Sequence, residues 1–200
     1  MRTNHCLTAT GRDQLQIVIL DIPEARRKAM GMKIMGIVGW SGSGKTSLLI
    51  ELLPILKAKG LKVSTMKHAH HRFDMDRPGK DSFRHREAGA SEVLVVTSSR
   101  WVLMHESREE PEPSIEALIE RMTPVDLLLI EGFKTHSHPK LEIHRESEGK
   151  PLLCPDDPEI VAVATDRVLP DLKIPQLDLN DPPSIADFIL LHTGLKGTEG

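Results

Sequence analysis

The sequence predicts an α/β fold, with a mostly parallel sheet flanked by helices and an added β-hairpin. Three observations carry that expectation. Apolar runs of strand length recur at Lys33-Ile34-Met35-Gly36-Ile37-Val38, Leu127-Leu128-Leu129-Ile130 and Ile160-Val161-Ala162-Val163-Ala164, and continuous runs of this kind fit strands covered on both faces of a parallel sheet. After the first run, Gly39-Trp40-Ser41-Gly42-Ser43-Gly44-Lys45-Thr46 fills the pattern G-x-x-x-x-G-K-[ST] at every specified position. A helical pattern over residues 47–59 follows at once, with Leu48, Leu49, Leu52, Leu53 and Leu56 on one wide face. Strand, glycine-rich loop and helix therefore stand in the order a phosphate-binding P-loop requires, and the fold is P-loop NTPase-like.

The loop carries its own chemistry. Its glycines let the backbone turn tightly enough to aim several N–H groups at a polyphosphate. Lys45 supplies a point charge for the β- and γ-phosphates, Thr46 offers a hydroxyl to Mg²⁺, and the helix adds its positive end. Gly39, Ser41, Gly42, Ser43, Gly44, Lys45, Thr46 and Ser47 are the expected phosphate-binding residues, with Lys45 also a catalytic candidate.

Composition bounds the function. Two hundred residues suit one domain with a full core and no staples. A formal net charge of −3 argues against binding a nucleic-acid backbone, and the absence of Tyr removes a usual stacking platform for single strands. Cys6 and Cys154 lie far apart without metal spacing, so a reducing compartment is expected. No apolar run reaches the roughly 18 residues a membrane span needs. The expectation is a cytoplasmic protein with no membrane and no nucleic-acid partner.

Residues 1–31 read as an extension, polar at first, with one apolar patch at residues 17–20 and a basic run Arg26-Arg27-Lys28. Poor order is expected there, with an edge strand over residues 16–20 as the alternative. Residues 32–195 form the nucleotide-binding domain. Within it, Pro54 should bend the first helix modestly and Gly60 should stop it. Residues 61–67 alternate as a second strand. The polar stretch after it, Lys67-His68-Ala69-His70-His71 through Asp81-Ser82, starts where a parallel strand ends, so Lys67, His68 and Asp81 are candidates to meet a ligand in the crevice. A solvated loop is the plain alternative. The histidine spacing matches no zinc pattern and no Cys lies nearby, so metal binding by His68, His70 and His71 is not expected.

Asp81 or Ser82 should cap a helix over residues 83–88. Residues 92–97 and 100–106 read as a hairpin around Ser98-Ser99, with Trp101 as a packing residue. Ser114 should cap a helix through Arg121. Asp126-Leu127-Leu128-Leu129-Ile130-Glu131-Gly132 then reads as a buried strand with Glu131 at its carboxyl end. An acidic group near Mg²⁺ at a strand end is the usual companion of a P-loop, so Glu131 is the candidate metal-side or water-positioning carboxylate, beside Thr46. Residues 141–145 alternate as a further strand, residues 151–158 lack regular structure, and residues 160–164 end at Thr165-Asp166. A short strand over residues 174–179 and a helix over residues 184–191 close the domain.

Taken in order, GWSGSGKT, KHAHHRFDMDRPGKDSFRHREAGA and DLLLIEGFK resemble the MobB family of molybdopterin-guanine dinucleotide biosynthesis adaptor proteins, over about residues 33–166. That resemblance implies a homodimeric protein that binds GTP with Mg²⁺, hydrolyses it weakly, and assists the molybdenum cofactor guanylyltransferase, with molybdopterin as a further partner. By position, Gly42, Gly44, Lys45, Thr46 and Ser47 fall in the family's phosphate loop, Glu131 in its acidic strand-end motif, and residues 68–81 in a family signature. The chain contains no N-K-x-D string to read guanine. Asp166, just after a strand, is the candidate acceptor for a guanine edge, with an ordinary surface aspartate as the alternative. A small-molecule kinase or ATP-dependent ligase is the competing reading, and a cofactor-binding protein that cleaves nothing is a third.

Overall fold

The computed structural model describes residues 31–69 and 76–197. The expectations for residues 1–30, and those for His70 and His71, lie outside them.

Six parallel strands form the main sheet: β1 (Lys33–Val38), β2 (Val63–Lys67), β5 (Leu127–Glu131), β6 (Lys140–His144), β7 (Ile160–Thr165) and β8 (Gln176–Asp178), in the order β2-β5-β1-β6-β7-β8. The chain leaves β1 through α1 (Lys45–Ala58) to reach β2 at one edge, comes back to insert β5, and later runs β6, β7 and β8 out on the other side. β1 is thus where the order reverses, and ligands of open α/β sheets bind at the carboxyl ends of the strands at such a point. The P-loop is the connection that starts there.

Alternation divides the apolar residues between the two faces. Met35, Ile37, Leu127, Leu129, Leu141 and Ile143 pack with Leu48, Leu52 and Leu56 of α1 and with Ile185 and Ile189 of α4 (Pro182–Thr193). On the opposite face Leu128 and Ile130 pack with Met32, Phe133, and Ile115 and Ile119 of α3 (Ile115–Glu120). Covering on both faces is why β5 is apolar without interruption. β6 solves the same problem with charge. Lys140 is 1% exposed and its Nζ donates to Asp157 Oδ2 at 3.0 Å; Glu142 is 0% exposed and accepts from the backbone N–H groups of Leu153 and Cys154 at 2.7 and 2.9 Å. The alternation over residues 141–145 thus marks a strand covered on both faces, not one with a solvated face.

Element ends follow local chemistry. α1 begins at Lys45, two residues before the expected start, because Gly44 at φ 98° serves as its left-handed N-cap. In α2 (Asp81–Glu87) the N-cap is Lys80, which makes no side-chain cap bond, and Ser82 Oγ donates instead to Asp76 Oδ1 at 2.9 Å. The capping expected of Asp81 or Ser82 is therefore replaced by a tether to the preceding loop. Ser114 caps α3 as expected, accepting from Ala117 N at 3.2 Å. Asp181 caps α4 by accepting from Ser184 N, with Pro182 and Pro183 in the first turn, where a missing N–H costs nothing.

The hairpin β3 (Glu92–Val96) and β4 (Trp101–His105) stands as a separate antiparallel sheet. Trp101, expected to pack, is 64% exposed, because the ribbon presents a face that nothing in the described chain covers. No helix among the described residues is long and apolar enough to cross a membrane.

Burial beside the Glu142 carboxylate pushes the Cys154 thiol up to about 11. The thiolate is the reactive form, so at pH 8 alkylation in a Cys6→Ser background should run roughly a hundredfold slower than for a thiol of ordinary pKa, and should keep rising beyond pH 10. A rate that levels off near pH 9 contradicts this.

Candidate functional site

The loop after β1 is built around close approaches. Gly39 has φ 147°, and a Cβ there would stand 2.4 Å from the Ile143 carbonyl oxygen and 2.7 Å from Ser43 Oγ. Only glycine lets β1 run this close to β6 and still turn. Ser43 is 2% exposed and its Oγ has no partner among the described residues.

Lys45 folds back over the loop. Its Nζ donates to the carbonyls of Gly39 at 3.1 Å and Trp40 at 2.7 Å. Burial lowers its pKa, the Glu131 carboxylate opposes that shift, and the Lys134 and Lys67 cations add to it. Three ammonium groups around one loop make a strong attraction for a polyphosphate.

Glu131 closes the other side. It is 8% exposed, and its Oε1 accepts from Thr46 Oγ1 at 3.0 Å and pairs with Lys67 Nζ at 3.0 Å. β5 lies between β2 and β1, which is what brings residues 46, 67 and 131 to one point. Glu131 Oε2 has no partner among the described residues. A hydroxyl beside a carboxylate is an oxygen donor set suited to Mg²⁺, a hard cation that keeps several waters and takes one or two carboxylates plus phosphate oxygens. Thr46 and Glu131 therefore fit the ion, either directly or through water.

The turn after Glu131 is strained. Gly132 has φ 92° and Phe133 φ 51°, the one non-glycine residue with positive φ among the described residues. The His68 ring stacks on Phe133 with centroids 4.4 Å apart, and His68 Nε2 lies 2.9 Å from Glu112 Oε1. His68 therefore sits beside the site, engaged by both neighbours. Asp81 is placed elsewhere, in a groove of α2 with Arg84, His85, Glu87 and Ala88.

Asp166 reaches the loop indirectly. Its Oδ2 pairs with Arg145 Nη1 at 3.5 Å, and its Oδ1 accepts from Glu146 N at 3.3 Å. The Arg145 Nε lies 3.3 Å from where a Cβ on Gly44 would stand. Arg145 is thus a site residue that sequence reasoning passed over. Its signal was a cation at a strand's carboxyl end, informative only once β6 is known to lie beside β1. Lys134 was likewise passed over; its Nζ stands 4.5 Å from the Trp40 ring, whose Nε1 donates to the Pro151 carbonyl at 2.7 Å. Lys134 and Val38 also line a cavity of about 460 Å³ with His136, Lys140, Asp157 and Glu159.

Together these groups can hold a polyphosphate with its cation at the end of β1, with further room on either side. The sequence matches the family described as Molybdopterin guanine dinucleotide synthesis protein B over residues 34–166. It is 44% identical over 160 residues to the molybdopterin-guanine dinucleotide biosynthesis adapter protein of Haemophilus influenzae, with 78% of this chain and 86% of that protein covered. Against the adapter protein of Escherichia coli K12 it is 40% identical over 160 residues, covering 78% of this chain and 91% of that protein. The crystal structure of molybdopterin-guanine biosynthesis protein B superposes with a TM-score of 0.64 at 25% identity, covering 80% of this chain and 99% of that one.

Proposed function

The chain belongs to the family of molybdopterin guanine dinucleotide synthesis protein B, and on that premise we propose that it is a cytoplasmic GTP-binding accessory protein that uses Mg²⁺, hydrolyses GTP weakly, and assists the guanylyltransferase that joins a guanosine nucleotide to molybdopterin. The observation that carries this reading is the meeting of Lys45, Thr46 and Glu131 at the switch point of the sheet.

In this reading Lys45 exchanges the Gly39 and Trp40 carbonyls for phosphate oxygens when nucleotide enters. The loop's backbone N–H groups and the start of α1 hold the β- and γ-phosphates. Thr46 and Glu131 would hold Mg²⁺, which would supply neutralising charge to those phosphates. Slow hydrolysis fits the state of Glu131, because a carboxylate already bonded to an ammonium and a hydroxyl is a poor base toward water. The cavity beside Lys134 offers room for molybdopterin.

The hairpin supports a homodimer. Leu94, Val96, Trp101 and Leu103 are 60%, 67%, 64% and 47% exposed. A two-stranded ribbon is marginal alone, and an exposed apolar patch of this kind marks an interaction surface. A second copy of the ribbon would cover it.

Calorimetric titration with Mg²⁺–GTP, Mg²⁺–ATP and the dinucleotide cofactor tests the first part. Lys45→Ala should weaken GTP roughly ten- to a hundredfold through lost charge-assisted bonds. Undiminished affinity in that variant, or a preference for ATP, contradicts the reading, and phosphate transfer to a metabolite would make the protein a kinase. For the second part, sedimentation should show a dimer in the parent and a monomer in Leu94→Asp/Trp101→Glu. A monomeric parent overturns the dimer.

A further inference from the structure

We infer that the guanine ring is read by the Asp178 carboxylate, in the crevice between the carboxyl ends of β7 and β8. This rests on the GTP reading above and names the residue that selects the base.

The sheet sets the location. β6, β7 and β8 lie in that order beyond β1, and strands spaced about 4.8 Å apart put β8 roughly 14 Å from β1. The register pairs Val38 with Glu142, Glu142 with Val163, and Val163 with Gln176. The ends of β7 and β8 are therefore level with the loop that leaves β1. A nucleotide whose phosphates sit in that loop can lie across the strand ends with its base in the crevice. Arg145 spans the interval, its Nε 3.3 Å from where a Cβ on Gly44 would stand and its Nη1 3.5 Å from Asp166 Oδ2.

The crevice is a cavity of about 260 Å³, a size for one ring system rather than for a whole nucleotide. Its wall is held in place. Gln176 Nε2 donates to the Leu169 carbonyl at 2.7 Å while its Oε1 accepts from Leu169 N at 2.8 Å, and Thr165 Oγ1 donates to the Arg167 carbonyl at 3.0 Å. Between these clips Val168 is 79% exposed and lines the cavity, an apolar surface for a flat ring.

Guanine presents two neighbouring donors, N1–H and the 2-amino group, and a carboxylate oxygen with free lone pairs can accept from that edge. Two carboxylates line the crevice, Asp166 and Asp178. Both oxygens of Asp166 are engaged, by Arg145 and by Glu146 N. Asp178 differs. Its Oδ1 accepts from Asn180 N at 2.8 Å and from Asn180 Nδ2 at 3.2 Å, which fixes the group, while its Oδ2 has no partner among the described residues. Asp178 is the carboxylate with capacity left for a ligand, and Asp166 is the one that orients Arg145. The assignment also accounts for the missing N-K-x-D string, because here the acid comes from a separate strand.

Xanthine carries an acceptor oxygen where guanine carries its 2-amino donor, so exchanging a carboxylate for an amide should reverse the preference. Binding of GTP, XTP and inorganic tripolyphosphate, each with Mg²⁺, is measured by calorimetry on the full chain. In Asp178→Asn, GTP should weaken roughly ten- to a hundredfold, XTP should bind more tightly than to the parent, and tripolyphosphate should be unchanged. Asp166→Asn should show no gain for XTP. If the parent binds GTP and Asp178→Asn keeps its GTP-to-XTP ratio, or the gain appears in Asp166→Asn instead, the inference is overturned alone. A parent that binds no GTP overturns the GTP reading and this inference with it.

Discussion

The carboxylate of Glu131 is the junction on which the site depends. It stands nearly buried at the end of β5 and joins three elements: Thr46 at the start of α1, Lys67 at the end of β2, and its own strand. A charge so placed needs partners, because an unpaired buried carboxylate is costly. The requirement works in both directions. Thr46 and Lys67 satisfy Glu131, and Glu131 holds the first turn of α1 and the end of β2 in fixed relation to the phosphate loop. Were β5 not inserted between β2 and β1, the three side chains would have no common meeting point.

On the far side of β1 a second set of buried charges organises the chain. Lys140 and Glu142 reach up from β6 into residues 153–157, so the proline-rich stretch that lacks regular structure is nonetheless fixed by Asp157 and by two capped backbone N–H groups. Trp40 is tied to Pro151 in the same stretch. The outer wall of the phosphate loop is thus built on β6, and the inner wall on β5. Arg145, at the end of β6, extends the loop toward β7 and β8.

Most elements could be read from the sequence, because periodicity and glycine placement are local. β1, β5 and β7 announce themselves as unbroken apolar runs, the hairpin as two β-rich runs about Ser98-Ser99, and the loop as a pattern of glycines with Lys45 and Thr46. Glu131 was legible as the acid at a strand's end. Strand order was not, since nothing local in residues 127–131 says which neighbours they will have. Arg145 and Lys134 escaped notice for that reason, as did the crevice that Asp178 lines together with the loop beyond β7. Trp101 misled for a different one: an aromatic residue in a strand reads as core, yet the face of the ribbon that carries it is not covered by the described residues. The polar stretch after β2 divides in the structure, its later part from Asp81 onward forming α2, with Asp81 lining a groove of that helix.

Glu131 and Thr46 are proposed as the metal side of a nucleotide site. GTP affinity with Mg²⁺ and with the metal chelated, compared between the parent and Glu131→Gln, tests this role most directly. The amide keeps an acceptor for Thr46 and removes the charge. Chelation should weaken GTP in the parent, and this metal-dependent gain should shrink roughly tenfold or more in the variant, with circular dichroism unchanged. An equal Mg²⁺ dependence in the two proteins would contradict it.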